Sequence, residues 1–130
     1  MSKGFVVAGL GCGDEGKGAV TDYLCRRENA DLIVRYCGGP QAGHNVVRNG
    51  KRHVFSQFGA GSDGKRRTYL HSNMIVDPLA MVNEARVLEQ FLGADPFPLV
   101  HVDPRCPLVT PIHRERNRWA ERERGKRRHG

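Results

Sequence analysis

Three side chains in the first third of the chain could do acid–base and electrostatic work on an anion: Asp14, Lys17 and His44. The first two lie in Gly9-Leu10-Gly11-Cys12-Gly13-Asp14-Glu15-Gly16-Lys17-Gly18. A glycine-rich turn that opens a helix aims backbone N–H groups and the positive end of the helix dipole at an anion. A lysine there adds a point charge for a phosphate. From Gly11 to Gly18 the string nearly fits the phosphate-loop pattern G-x-x-x-x-G-K-[ST], but Gly18 replaces the hydroxyl residue that would hold Mg²⁺. A metal ligand must then come from elsewhere, and Asp14 is the obvious candidate. The string also reads G-x-G-x-x-G from Gly11 to Gly16, a dinucleotide pattern, and a purely structural glycine turn is the bland alternative. The pair Asp14-Glu15 weighs against both. Two carboxylates in a phosphate loop are unfavourable unless a metal or a proton-transfer role compensates.

The elements that must hold this loop are legible as patterns. Phe5–Ala8 is a continuous apolar run and predicts a short buried parallel strand. A helix with Ala19, Val20, Tyr23 and Leu24 on one face is expected to follow and to end near Asn29. Asp31–Tyr36 predicts a second strand, so the three pieces form a βαβ unit with parallel, right-handed connection. The loop Cys37-Gly38-Gly39-Pro40-Gln41-Ala42-Gly43-His44 then leaves the same end of the sheet as the first loop. Ligands of open α/β sheets bind at that end, so His44 and Asp14 are expected to face one another.

Downstream, Asn49-Gly50 between Val46–Arg48 and His53–Phe55 signals a type I′ hairpin. Gly59–Lys65 reads as a polar, glycine-rich loop, and Tyr69–Val76 as a strand. Asp77-Pro78 is an N-cap followed by proline at N1. It starts a helix whose core stripe is Met81, Ala85, Leu88 and Leu92, stopped by Gly93. Leu99–Val102 is a further short strand. No internal repeat is present.

A chain of 130 residues is enough for one modest core. No apolar run is long enough to span a bilayer and no signal peptide opens the sequence, so a cytoplasmic location is expected. Cys12, Cys25, Cys37 and Cys106 show no C-x-x-C spacing, which speaks against a zinc ribbon or a redox pair and for reduced thiols. The net charge of +7 is concentrated at the end: His113–Gly130 holds eight Lys/Arg against three Glu. The chain divides into an α/β domain over residues 1–112 and a basic helical tail over 113–130. Trp119 is the tail's only large apolar anchor, so the tail has little to bury and is expected to fray. Without interleaved aromatics or a reading motif, nucleic-acid binding by the tail is the weaker reading.

Gly13-Asp14-Glu15-Gly16-Lys17-Gly18, followed by Val34-Arg35-Tyr36-Cys37-Gly38-Gly39-Pro40-Gln41-Ala42-Gly43-His44-Asn45-Val46-Val47, resembles the adenylosuccinate synthetase family. The two loops in this order and spacing are specific. The resemblance extends over essentially the whole chain but only to the family's N-terminal part. It implies a P-loop-like, mostly parallel α/β sheet with flanking helices, incomplete relative to the family's full domain. It further implies a ligase of AMP biosynthesis, with GTP, IMP and L-aspartate as substrates, Mg²⁺ as cofactor and a homodimer as the working form.

Residue by residue, Asp14 matches the family's general base and an Mg²⁺ ligand. His44 matches its general acid and electrostatic helper, and the Gly43 carbonyl a second Mg²⁺ ligand. Gly13, Asp14, Glu15, Gly16, Lys17, Gly18 and Ala19, with Gly43, His44 and Asn45, match the GTP-phosphate cradle. Asp14, Glu15, Gly16 and Lys17, with Gln41, Ala42, Gly43 and His44, match the IMP site. The sequence departs from the family pattern at Gly11-Cys12, where Gln-Trp is usual, at Gln41 for Asn and at Asn45 for Thr. It stops at His129-Gly130, where the family continues into a Gly-Thr-Thr-Gly-Arg-Gly-type stretch. The expectation is a truncated synthetase, with a non-catalytic remnant that still holds phosphate as the alternative.

Overall fold

The computed structural model describes residues 3–125. In chain order the elements are α1 (Lys17–Arg27), β1 (Leu32–Arg35), β2 (His44–Arg48), β3 (Lys51–Phe55), β4 (Arg67–Leu70), α2 (Pro78–Leu92), a 3₁₀ turn (Phe97–Leu99), β5 (Val100–Val102) and α3 (Pro111–Arg124). β1, β4 and β5 form a parallel sheet in the order β1-β4-β5, and β2 and β3 form a separate antiparallel hairpin.

The hairpin forms where Asn49-Gly50 requires it. Asn49 has φ 50° and Gly50 φ 73°, the left-handed pair that a type I′ turn needs. His44 thereby lies opposite Phe55 and Val46 opposite His53. His44 is the first residue of a strand, not the end of a loop. α2 also follows its signals: Asp77 accepts from the Ala80 N–H at 3.0 Å, Pro78 opens the helix, and Gly93 closes it at φ 76°.

The predicted strand Phe5–Ala8 does not form. The segment is unpaired and has no regular secondary structure, and Val6 is 94% and Leu10 99% exposed. Phe5 and Val7 border cavities beside Ile33 and Val34 of β1, without sheet hydrogen bonds. An apolar run becomes a buried strand only when both faces and a hydrogen-bonding edge find partners. The βαβ unit therefore lies elsewhere: β4-α2-β5 is the parallel crossover.

The predicted apolar face of α1 is not its buried face either. Val20 and Tyr23 are exposed, whereas Gly18, Asp22 and Cys25 are buried. The strand predicted over Tyr69–Val76 ends at Leu70, and only isolated pairings, Gly38 with Met74 and Val76 with Leu108, continue it. Leu99 belongs to the 3₁₀ turn. The loop Gly59–Lys65 is buried through Ser62. A Cβ at Gly59 would stand 2.8 Å from Ile33 Cγ2, so only glycine lets the backbone pass there.

The core lies between α2, the hairpin and β4. Phe55, Phe58, Leu70, Met74 and Leu88 are fully buried, with Val46, Met81 and Ala85 beside them. Glu84 shares the buried face of α2. Its carboxylate accepts from the backbone N–H groups of Ser56, Gln57 and Phe58 and from the Ser56 hydroxyl. One helix side chain thus satisfies the bend that turns β3 back into the core.

The basic tail is a helix from Pro111, capped by the Thr110 hydroxyl. It exposes Ile112 and Trp119, the latter 62%. Arg114 pairs with Asp77, the N-cap of α2. Residues 126–130 of the predicted tail, and with them its fraying at the end, lie outside the described residues, as do Met1 and Ser2.

Candidate functional site

α1 starts without a side-chain cap. Its N-cap is Gly16 at φ 75°, a left-handed conformation that glycine adopts freely. The first-turn N–H groups are therefore left for solvent or an anion. The next loop is brought against this helix end at Gly18. A Cβ there would lie 2.4 Å from His44 Cβ, so the absence of a side chain is what lets β2 touch the first turn of α1. The buried Asp22, one turn on, locks the contact: Arg48 at the far end of β2 donates to it through Nε at 2.9 Å and also through Nη2. Arg26 donates to the other oxygen at 3.1 Å.

The result is a concavity of about 260 Å³. Gly13, Asp14, Gly16, Lys17 and Gly18 form one wall, and Gly43, His44 and Asn45 the other. Of the residues singled out in the sequence, these eight share the cavity. Glu15, Ala19, Gln41 and Ala42 do not line it. Asp14 is exposed and makes no hydrogen bond or ion pair among the described residues. Its carboxylate is open to a ligand.

Lys17 is engaged. Its ammonium donates to the Gly13 carbonyl at 2.9 Å and pairs with Glu15. Glu15 also accepts from the Gly11 N–H at 2.6 Å. The Lys17 bond, first, and the Gly11 N–H hold the Glu15 carboxyl below its ordinary range. The Asn45 side chain is fixed by Arg52, which donates through Nε at 2.9 Å.

Burial, and then the positive charges of Arg35 and Lys17, push the His44 imidazole below its usual value. The shift favours the neutral imidazole, which carries one N–H. Lys17 and His44 also border a second cavity of about 200 Å³, lined by Arg35, Thr21 and Cys37 among others. All four cysteines are free.

Two contributors escaped the sequence reading. Arg35 and Asp22 are charged residues on faces that pack inward. For Arg35 a signal existed: alternation in Leu32–Arg35 puts it on the same side as buried Ile33.

An uncapped helix behind a glycine turn, packed on the β2–β3 hairpin, and a parallel sheet with flanking helices define a mixed α/β fold. Comparison with known proteins narrows it. Residues 6–130 match the family described as adenylosuccinate synthetase, and the chain belongs to that family. It is 40% identical over 109 residues to the adenylosuccinate synthetase of Picrophilus torridus, covering 84% of this chain and 25% of that protein. It is 35% identical over 126 residues to that of Acinetobacter baylyi, covering 96% and 28%. The chain thus spans about a quarter of the length of these curated relatives.

Among solved structures, fully ligated adenylosuccinate synthetase from Plasmodium falciparum superposes with a TM-score of 0.74 at 24% identity, over 88% of this chain and 26% of that one. Cyanophage S-2L succinoaminodeoxyadenylate synthetase, bound to dGMP and dATP, gives 0.64 at 23% identity, over 82% and 29%. At these identities the two superpositions establish the fold.

Proposed function

We propose that this chain supplies the phosphate-binding and proton-handling part of a GTP-dependent ligase that joins IMP and L-aspartate into adenylosuccinate. The observation that carries the reading is the common cavity of Asp14, Lys17 and His44 at the uncapped start of α1, in a chain of the adenylosuccinate synthetase family.

The 6-oxo group of IMP is a poor leaving group. Asp14, free of protein partners, takes the N1 proton, and the electron pair makes O6 nucleophilic toward the γ-phosphorus of GTP. The bond from that phosphorus to the bridging oxygen of GDP breaks. The amine of aspartate then displaces the 6-phosphoryl group as phosphate. Phosphoryl transfer needs positioning and charge stabilisation more than covalent help. The N–H groups of Gly16–Gly18, the Lys17 ammonium and the His44 N–H supply these around the transferred group. Lys17 is released from Glu15 when the phosphate arrives.

The Asp14 carboxylate and the Gly43 carbonyl are hard oxygen donors on one cavity, which suits Mg²⁺ held by one or two protein oxygens together with phosphates. Among the described residues no cluster of three or more His, Cys, Asp or Glu could hold a metal by itself, in keeping with a metal carried mainly by the nucleotide. Bound there, Mg²⁺ would offset the negative charge of the triphosphate. The working form is a cytoplasmic homodimer on the same reading. Separately, no helix among the described residues is long and apolar enough to cross a membrane.

The test uses the ¹⁵N-labelled 130-residue chain. Mg²⁺–GTP is expected to shift the amide signals of Gly13–Gly18 and His44. Adenylosuccinate is not expected to form when IMP and aspartate are added, because the chain spans about a quarter of its relatives' length. Asp14→Asn in a full-length relative is expected to abolish turnover. Unmoved loop amides, or near-normal rates in that variant, would overturn the reading.

A further inference from the structure

We infer that Arg35 is a positioning residue that sets His44 and the loop in front of it. Arg35 is 5% exposed. Its Nη2 donates to the Ala42 carbonyl at 2.8 Å. Its Nη1 donates to the carbonyls of Phe55 at 3.3 Å and Phe58 at 3.0 Å. Ala42 stands two residues before His44, and Phe55 is the residue opposite His44 in the hairpin. The guanidinium therefore grips the chain on both sides of the imidazole, from a rigid strand of the parallel sheet.

This arrangement is costly. Among the described residues no carboxylate pairs with Arg35, and its Nε is buried without a hydrogen-bond partner. Burial pulls its pKa below the ordinary arginine value, with Glu84 opposing from a distance. A buried charge without a counter-ion is disfavoured, and an apolar side chain of similar volume would serve packing better. What the apolar residue lacks is the planar fork of donors that holds three carbonyls in fixed relative positions. The Arg35 charge also borders a cavity whose lining includes Lys17 and His44 of the proposed anion site. The inference rests on the phosphate reading only for this last consequence. The clamp itself is read from the hydrogen bonds.

The ¹⁵N-labelled full chain and its Arg35→Met and Arg35→Lys variants separate the clamp from packing and from charge. In both variants the Ala42 amide, which donates to Gly39 at 3.0 Å, is expected to exchange with solvent faster by about tenfold, the size of one lost hydrogen bond's net contribution. The Gly43 and His44 amide signals are expected to move, with the Lys51–Val54 amides of the hairpin unchanged. Magnesium tripolyphosphate is expected to shift the Gly13–Gly18 amides in every form but to shift His44 only in the parent. If the methionine variant loses its circular dichroism, the lysine variant decides. Parent-like Ala42 exchange and parent-like Gly43 and His44 signals in Arg35→Lys would show that charge alone suffices and overturn the clamp. A parent whose loop amides ignore tripolyphosphate would remove the phosphate reading, and the exchange rates would still decide on Arg35.

Discussion

Gly18 is the residue on which the site closes. The phosphate-loop pattern asks for Ser or Thr there, and the geometry shows why this chain has neither: His44 Cα lies 3.0 Å and His44 Cβ 2.4 Å from where a Cβ would be. The hydroxyl is exchanged for contact between the helix start and the imidazole. Gly18→Ala is accordingly expected to destabilise the chain by about 1–3 kcal/mol, the range for forced overpacking, because the obstacle includes backbone and cannot swing away. Thermal melting measures the loss. A variant that melts with the parent would show that the two loops are not in contact. Glu15 illustrates the opposite logic. It occupies the Lys17 ammonium, which the proposed phosphate would use, and the Gly11 N–H.

Among the elements, α2 supports the site at the hairpin's end, through Glu84. The hairpin that presents His44 ends in the bend Ser56–Phe58, whose N–H groups all point at that carboxylate. Burial pushes the Glu84 pKa up. The nearby His53 at 3.8 Å, the Ser56 hydroxyl and the backbone donors pull it down further, and the net value lies below the ordinary one. A carboxylate with a depressed folded-state pKa contributes stability above its unfolded value, about 4.3, and loses it as pH falls through the folded value. The parent is therefore expected to lose melting temperature more steeply than Glu84→Gln below about pH 4.3. At neutral pH the variant is expected to be less stable by about 1–3 kcal/mol, since one of the two acceptor oxygens becomes an NH₂ that faces the Ser56–Phe58 donors. Parallel melting profiles down to pH 3 for the two proteins, at about one pH unit below the ordinary glutamate value, would exclude the role.

Across the whole molecule, the basic helix α3 is attached at Asp77. That carboxylate caps α2 through Oδ1 and takes Arg114 through Oδ2, so one residue joins two helices. The helix runs to Arg124 with none of its residues buried, and the Arg114 pair joins its first turn to the start of α2. Asp77→Asn keeps an acceptor for the cap and removes the charge. It is expected to speed hydrogen exchange in α3 while α2 keeps its protection, and high salt is expected to act in the same direction on the parent. Equal exchange in both helices would mean that α3 is held by other contacts. The unpaired segment Phe5–Ala8 belongs at this level too. Val6 is 94% exposed, and β1 is an edge strand of the parallel sheet.

Local signals were legible wherever the physics is local. Asn49-Gly50 specified a hairpin by its backbone angles, Asp77-Pro78 and Gly93 bounded α2, and the glycine loop followed by Lys17 marked the start of α1. Each rests on conformational preferences or caps that need only a few neighbouring residues. The tertiary structure decided what depends on partners. It left Phe5–Ala8 beside Ile33 and Val34 of β1 without sheet hydrogen bonds, and it buried the Gly18–Asp22–Cys25 face of α1 because β2 brought Arg48 to Asp22. It also turned Arg35 inward, where carbonyls from two distant segments converge. Hydrogen-bond and ion-pair partners that lie twenty or more residues apart leave little trace in a linear pattern, and in this chain those contacts hold the two loops against each other.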